Sequence, residues 1–337
     1  MRFGIDISQI IYGTGVSIYT KNLVENLLAI DKVNEYVLFF SSLRRRPPPL
    51  ASLYSFKFPP TLLDLIWNRL HIFPIEKLIG QIDVFHTSDW TEPPSKCPKV
   101  TTIHDLTPLL FPDEVDPKIV VTHKRKLAWV KKESKVIIVP SKATKKDVVR
   151  HLGVPEKKIR VIYEGVDNEF RPQKKKKIEA TKRKYRISGD YLLCFAGPPR
   201  KNKKRVIKAS SGFQLFIVGQ PYVSRKDLSA LYSGALCLVY PSLYEGFGLP
   251  ILEAMACGCP VVTANISSMP EVAAGAAILV NPRGVKDITR GIKKALANRK
   301  ELIEKGFKRA KLFSWRKTAE ETLQIYRKLG DSINRNN

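Results

Sequence analysis

Short, unbroken apolar runs alternate with helix-like segments along almost the whole chain, and that alternation leaves few folds open. "RFGIDIS", "EYVLFF", "DVFHTS", "KVTTIHD", "KVIIVPS" and "IRVIYEG" read as strands in the first half. "YLLCFAG", "QLFIVG", "ALCLVYPS", "PVVTAN" and "AAILVNP" do so in the second. They lack the apolar–polar alternation of a half-exposed strand, so both faces of each sheet must be covered, as in parallel sheets. Helical patterns fall between them: "YTKNLVENLLAI", "ATKKDVVRHLG", "RKDLSALYSGA" and a long segment from Val285 to Phe313. Strands and helices alternating twice over predict an α/β chain of two doubly wound domains. At 337 residues the chain is long enough for two ordinary cores. The seam is expected in "VDNEFRPQKKKK", which gives domains at 1–170 and 171–312 and a closing helix at 313–337.

Charge narrows the function. Fifty-eight Lys and Arg against 31 Asp and Glu leave a net charge of +27. Such an excess attracts polyanions: nucleic acid, anionic lipid or phosphorylated substrates. The basic residues cluster in "RPQKKKKIEATKRKYR" (171–186) and "RKNKKRVIK" (200–208), and the run at 174–177 reads as solvated surface or linker. A nucleic-acid partner would want aromatics interleaved with the cations. Here the aromatics sit mostly inside apolar runs, which disfavours that class. The five cysteines form no C-x-x-C pair and have no histidine cluster nearby, so neither a zinc site nor a disulfide framework is expected. The opening "MRFGIDISQIIYGTG" is a buried strand rather than a signal peptide, and no run nears the roughly 20 residues of a bilayer span. A cytoplasmic, reducing location fits.

In open α/β sheets ligands bind beyond the carboxyl ends of the strands. The chemically informative residues lie there: "GTGV", "HTSDW", "IHDL" and "PSKAT" in the first half, "AGPPRKN" and "YEGFGLP" in the second. Gly15 would allow close backbone approach to a phosphate or acceptor. A dinucleotide fingerprint is incomplete, because Ile18 stands where its third glycine belongs. Ser141 reads as a helix N-cap. In "PSLYEGFGLPILEAMACGCPVV", Pro250 suits a first helical position and Gly258 a stop, which puts Glu253 in the first turn and Glu245 in the preceding loop. Eight residues along one helix would span about 12 Å. That exceeds the roughly 5–9.5 Å between the carboxylates of a hydrolytic pair. The backbone amides of Gly246, Phe247, Gly248 and Leu249, at a helix start, make an anion cradle.

"YEGFGLPILEAMACGCPVV" resembles the E-x7-E signature of retaining glycosyltransferases of the GT-B fold, in glycosyltransferase family 4. "GTGVSIYTKNLVENLLAID", "VFHTSDWTEPP", "TTIHDLTPLLFPDE", "VPSKATKKDVVRHLGVPEKKIRVIYEGVDNEFRP" and "FSWRKTAEETLQIYRKL" resemble family segments in family order, with the flavour of its mannosyltransferase-like members. The resemblance implies two Rossmann-like domains facing across a cleft: an acceptor domain (1–170), a nucleotide-sugar donor domain (171–312), and a last helix returning to the first. It implies Arg200 and Lys201 at the diphosphate beside Gly197, Glu245 near the donor sugar, Glu253 on the ribose hydroxyls and His104 facing the sugar. Asp105 would orient its loop. His86, Asp89 and Ser141 are acceptor-side candidates. The expected reaction moves a sugar, with mannose suggested by those members, from a GDP- or UDP-linked donor to a glycan or lipid-linked acceptor. No D-x-D triplet is present, so neither metal nor cofactor is expected.

The chain departs from the family after "FIVGQ", where it passes directly to "PYVSRKDLSALYSGA" and a helix and strand are missing. The donor domain is therefore expected to be trimmed. This keeps open a non-catalytic protein that binds sugar nucleotides or polysaccharide. "LLDLIWNRLHIF" (62–73) places Leu62, Leu65, Ile66, Leu70 and Phe73 near one helical face. Trp67 and the basic "SSLRRRPPP" (41–49) suggest reversible attachment to an anionic membrane surface.

Overall fold

The structure, a computed structural model, describes residues 1–50 and 52–334. The chain divides into two compact units: Met1–Tyr163 with the chain from Trp315 onward, and Glu164–Ser314.

Unit 1 is built on seven parallel strands: β1 (Arg2–Asp6), β2 (Glu35–Ser41), β3 (Leu53–Phe56), β4 (Val84–Thr87), β5 (Lys99–Thr102), β6 (Ser134–Val139) and β7 (Ile159–Val161). Their order is β3-β2-β1-β4-β5-β6-β7, so the winding reverses between β1 and β4. Phe3 pairs with Tyr36 on one side and Val84 on the other. Every residue of β4 and β5 is buried, the polar His86, Thr87, Lys99, Thr101 and Thr102 included, because both faces of a parallel sheet are covered. The last helix, Trp315–Asn334, packs into this unit. Its Tyr326 meets the Phe3 ring at 5.2 Å, its Thr318 hydroxyl donates to the Tyr163 carbonyl at 2.7 Å, and its Arg327 reaches Asp31 at 3.2 Å.

The stretch 62–73 differs from a single amphipathic helix. A helical turn over Pro60–Leu63 widens into a π-type turn over Asp64–Arg69, and left-handed backbone at His71 (φ 52°) and Phe73 (φ 65°) ends it. Trp67 consequently turns inward. It is 1% exposed beside Phe39, and its indole N–H donates to the Phe73 carbonyl at 3.0 Å. The expected membrane contact through Trp67 is therefore corrected: the residue is core. Leu65, Leu70, Ile72 and Phe73 are the exposed apolar residues of this stretch.

Unit 2 carries five parallel strands: β8 (Tyr191–Phe195), β9 (Gln214–Val218), β10 (Cys237–Tyr240), β11 (Val261–Ala264) and β12 (Ile278–Val280). Their order is β12-β11-β10-β8-β9, and the winding reverses between β8 and β10. The sheet is short on the β9 side, where only Gly219–Ser224 separate the edge strand from the helix Arg225–Gly234. The lysine run is not a linker: Lys175–Lys184 is a helix whose basic face is largely exposed. The long helical pattern breaks at Asn298 into Val285–Ala297 and Arg299–Ala310.

Candidate active site

Beyond β8 the chain passes Gly197 and tightens into a single 3₁₀ turn, Pro199–Lys201. Asn202, buried and left-handed (φ 64°), pins this turn by donating from its amide to the carbonyls of Pro241 (2.9 Å) and Pro282 (2.6 Å). The Leu243 amide donates to the Arg200 carbonyl at 2.7 Å, which ties the turn to the loop after β10. Lys201 Nζ then donates to both carboxylate oxygens of Glu245, at 2.7 and 2.9 Å, and to the Tyr240 hydroxyl at 2.7 Å. Tyr240 in turn donates to Glu245 Oε1 at 2.7 Å. A Cβ on residue 197 would lie 2.7 Å from Lys201 Cγ, so glycine is what lets the lysine stem pass. Burial alone would pull the Lys201 ammonium down, but Tyr240 and Glu245 outweigh it and push its pKa up. The site therefore stores a cation at the point where the winding of the sheet reverses.

The Glu245 loop is held by two serines that the sequence reading did not single out. The Glu245 amide donates to Ser267 Oγ (3.2 Å), and that hydroxyl donates to the Glu245 carbonyl (2.8 Å). Ser268 Oγ lies 2.9 and 2.7 Å from the carbonyls of Glu245 and Phe247. Gly248, with φ 103°, then caps the helix Leu249–Ala256. Because that left-handed residue lets the helix begin at Leu249, Pro250 is its second residue rather than its first. Glu253 is the fifth residue, beyond the first turn where it was expected. Gly258 (φ 75°) lies two residues past the last helical residue and supplies the expected stop. Phe247 points inward, edge-on to Phe313 at 5.9 Å.

Glu253 is 6% exposed and accepts from the Tyr232 hydroxyl at 3.1 Å. Arg225 Nη1 stands 3.7 Å away, and the same guanidinium binds Glu169 (2.7 Å) and Asp167. Burial pushes the Glu253 carboxyl up to about 7, against the opposing pull of Arg225 and Tyr232. The two glutamates thus have different surroundings: Glu245 is matched to a lysine and a tyrosine, Glu253 sits under a tyrosine and a shared guanidinium.

In unit 1, His104 follows β5 and stands edge-on to Tyr19 at 4.6 Å. Asp105 accepts from the Thr107 amide at 2.7 Å and so shapes that loop. His104 lines a water-sized cavity of about 10 Å³ with Asp6, His86 and Asp89. His86 faces inward: its ring nitrogens meet Thr102 Oγ1 (2.9 Å) and the Tyr326 hydroxyl, joining β4 and β5 to the last helix. Burial drops its pKa to about 3, which keeps it neutral. Asp89 lies 3.9 Å from His123. Burial works against its charge, but His123, Lys126 and His104 together hold its pKa below the ordinary value. Ser141 is fully buried and caps its helix by accepting from the Thr144 amide at 3.0 Å. Gly15 opens the helix Gly15–Ile30 with free space around it, whereas Gly13 (φ 70°) is the position whose backbone favours glycine. Among the described residues, no group of three or more His, Cys, Asp or Glu is placed to hold a metal ion.

The predicted residues thus gather in two places. Gly197, Arg200, Lys201, Glu245 and Gly246–Leu249 collect beyond β8 and β10, with Glu253 on the adjoining helix. Asp89 and His104 lie beyond β4 and β5 and line one small cavity with the buried His86 of β4. Tyr240, Ser267, Ser268, Asn202 and Arg225 were missed. Tyr240 looks like the end of an apolar strand, and the serines of "ISSMP" look like ordinary turn residues.

A family model described as "Glycosyltransferase Family 4" matches residues 13–170, and one described as "Glycosyl transferases group 1" matches 145–311. The O-antigen chain mannosyltransferase B of Escherichia coli is 28% identical over 370 residues, covering 94% of this chain and 96% of that one. That alignment is longer than the chain itself, so the relative carries residues with no counterpart here. Sucrose-phosphate synthase from Thermosynechococcus elongatus has the same fold at a TM-score of 0.74, with 17% identity over 98% of this chain and 100% of that one. Anabaena Alr3699/HepE, in complex with UDP-glucose, follows at 0.68, with 15% identity over 98% and 100%. The two family models, the full-length relative and the two wound α/β units make this chain a glycosyltransferase of family 4, with the GT-B architecture.

Proposed function

We propose that the protein transfers a hexose, with mannose the leading candidate, from a GDP- or UDP-linked donor to a hydroxyl of a glycan or lipid-linked acceptor, with retention of configuration. The observation that carries this reading is Lys201, held as a cation by Glu245 and Tyr240 beyond β8 and β10. A departing nucleoside diphosphate gains negative charge as the bond between the anomeric carbon and the phosphate oxygen breaks. Lys201, Arg200 and the amides of Gly246–Leu249 meet that charge. The acceptor oxygen attacks from the leaving group's face, and its proton passes to the departing phosphate. Glu245 sits against the donor sugar, and Glu253 takes the ribose hydroxyls in exchange for its present partners. Unit 2 is the donor side and unit 1, with His104 and Asp89, the acceptor side. Polysaccharide or glycolipid synthesis is the fitting context, since the full-length relative is named an O-antigen mannosyltransferase. The Anabaena neighbour's bound UDP-glucose supports a nucleotide-sugar donor. The chemistry asks for neither metal nor cofactor.

Among the described residues no helix is long and apolar enough to cross a membrane. We place the protein in the cytoplasm, peripheral on an anionic membrane surface, with exposed Arg44, Arg45 and Arg46 as the contact. The short Gly219–Ser224 connection favours a second reading, a non-catalytic sugar-nucleotide binder. One experiment separates the two. Wild-type protein should release nucleoside diphosphate from a nucleotide sugar, and Lys201→Ala should slow that release by about 10²–10³-fold while the fold persists. Equal release by a folded Lys201→Ala protein refutes the assignment, and nucleotide-sugar binding without turnover in the wild type establishes the second reading.

A further inference from the structure

Unit 1 has a groove of about 580 Å³ whose lining includes Asp64, Arg69, Trp90, Lys118, Ile119 and Arg125. None of these residues is used in the chemistry above. The size suits a small ligand, and apolar walls with a few convergent polar groups are how such sites are built. Its charge is unbalanced. Asp64 accepts from Arg125 at 3.0 Å and lies 3.4 Å from Arg69, so one carboxylate serves two guanidinium groups. Lys118, exposed at the start of the helix Pro117–Glu133, adds a third cation. Guanidinium forks match phosphate oxygens bidentately, and lysine adds a point charge.

Trp90 supplies the other half of the site. It is half-buried, set edge-on to Tyr12 (6.1 Å) and His123 (5.3 Å), and its carbonyl accepts from Asn68 at 3.0 Å. An indole fixed in this way presents a rigid apolar surface at little entropic cost, and a pyranose ring has an apolar C–H face to lay against one. We propose that this groove binds a phosphorylated sugar, with the ring against Trp90 and the phosphate among Arg69, Arg125 and Lys118. Resting on the transferase reading above, it is the acceptor site. The phosphate is either the link between a glycan and its lipid or a substituent of a soluble glycan.

The test is calorimetric binding of mannose 6-phosphate to the full chain with GDP and UDP present in excess, so that the donor site is filled. Mannose 6-phosphate should bind at least about tenfold more tightly than mannose or inorganic phosphate. Lys118→Gln should weaken it by about tenfold, the scale of one charge-assisted hydrogen bond. Trp90→Ala should weaken it similarly, and Trp90→Phe should restore most of the loss. Equal affinity for mannose, equal affinity for inorganic phosphate, or affinity untouched by both Lys118→Gln and Trp90→Ala would each overturn the proposal. Phosphatidylcholine vesicles carrying polyprenyl phosphomannose identify the source. Displacement of mannose 6-phosphate assigns the phosphate to a lipid link, no displacement assigns it to a soluble glycan, and either supports the groove. No transfer is needed for these measurements. If they hold while nucleotide release fails, the transferase reading falls and the binding site stands.

Discussion

Replacing Glu253 by glutamine should make the protein more stable and worse at holding a nucleotide. Burial raises the carboxyl from its ordinary 4.5 to about 7 in the folded state. In the unfolded chain it ionises at its ordinary value, so as pH rises past 4.5 the unfolded state loses its proton first. Stability therefore falls with rising pH between those two values and levels off above about 7. At about 1.36 kcal/mol per pH unit, the full cost of the buried charge is about 3 kcal/mol. Glutamine keeps the shape and still accepts from the Tyr232 hydroxyl, while Arg225 retains Asp167 and Glu169. Urea unfolding at pH 8 should then show Glu253→Gln more stable by about 1–3 kcal/mol, with little difference at pH 5. Nucleoside diphosphate affinity, measured on the same samples, should weaken by roughly 1.5–3 kcal/mol for a lost charged hydrogen bond to ribose. A variant no more stable than wild type at pH 8 would show that burial does not govern this carboxyl. Unchanged nucleotide affinity would remove its proposed role.

If Lys201 and the helix amides meet the diphosphate charge as proposed, nucleotide release should persist in excess chelator. An absolute need for a divalent ion, restored on adding it back, would contradict that account. Replacing Arg44, Arg45 and Arg46 by serine should weaken binding to anionic vesicles by at least about tenfold at low salt and leave nucleotide affinity alone. Equal partitioning of wild type onto neutral and anionic vesicles would argue against the membrane contact. Trp67→Ala should cost about 3–5 kcal/mol of stability in denaturant titration. A loss below 1 kcal/mol would be inconsistent with its burial beside Phe39.

Much of the α/β plan was legible because its signals are local. An apolar run without alternation needs cover on both faces wherever it lies, so "CLVY" and "VVTA" could be read as buried parallel strands without knowing their neighbours. The Ser141 cap and the Gly258 stop are decided within a few residues of themselves, and both are found in the structure. The lysine helix Lys175–Lys184 escaped because it has no apolar stripe, and the inward turn of Trp67 escaped because the π-type turn over Asp64–Arg69 shifts the helical register. Strand order belongs to another level. Nothing local says that β8 lies beside β10, yet that adjacency brings Lys201 onto Glu245, 44 residues away. Nor does it say that Tyr326 will close on His86 across 240 residues, or that Arg225 will be shared among Asp167, Glu169 and Glu253. Backbone propensity and apolar pattern act over a few bonds, so they are written along the chain. A buried charge finds its partner only through the packing that removes both from water, and that packing is a property of the folded units.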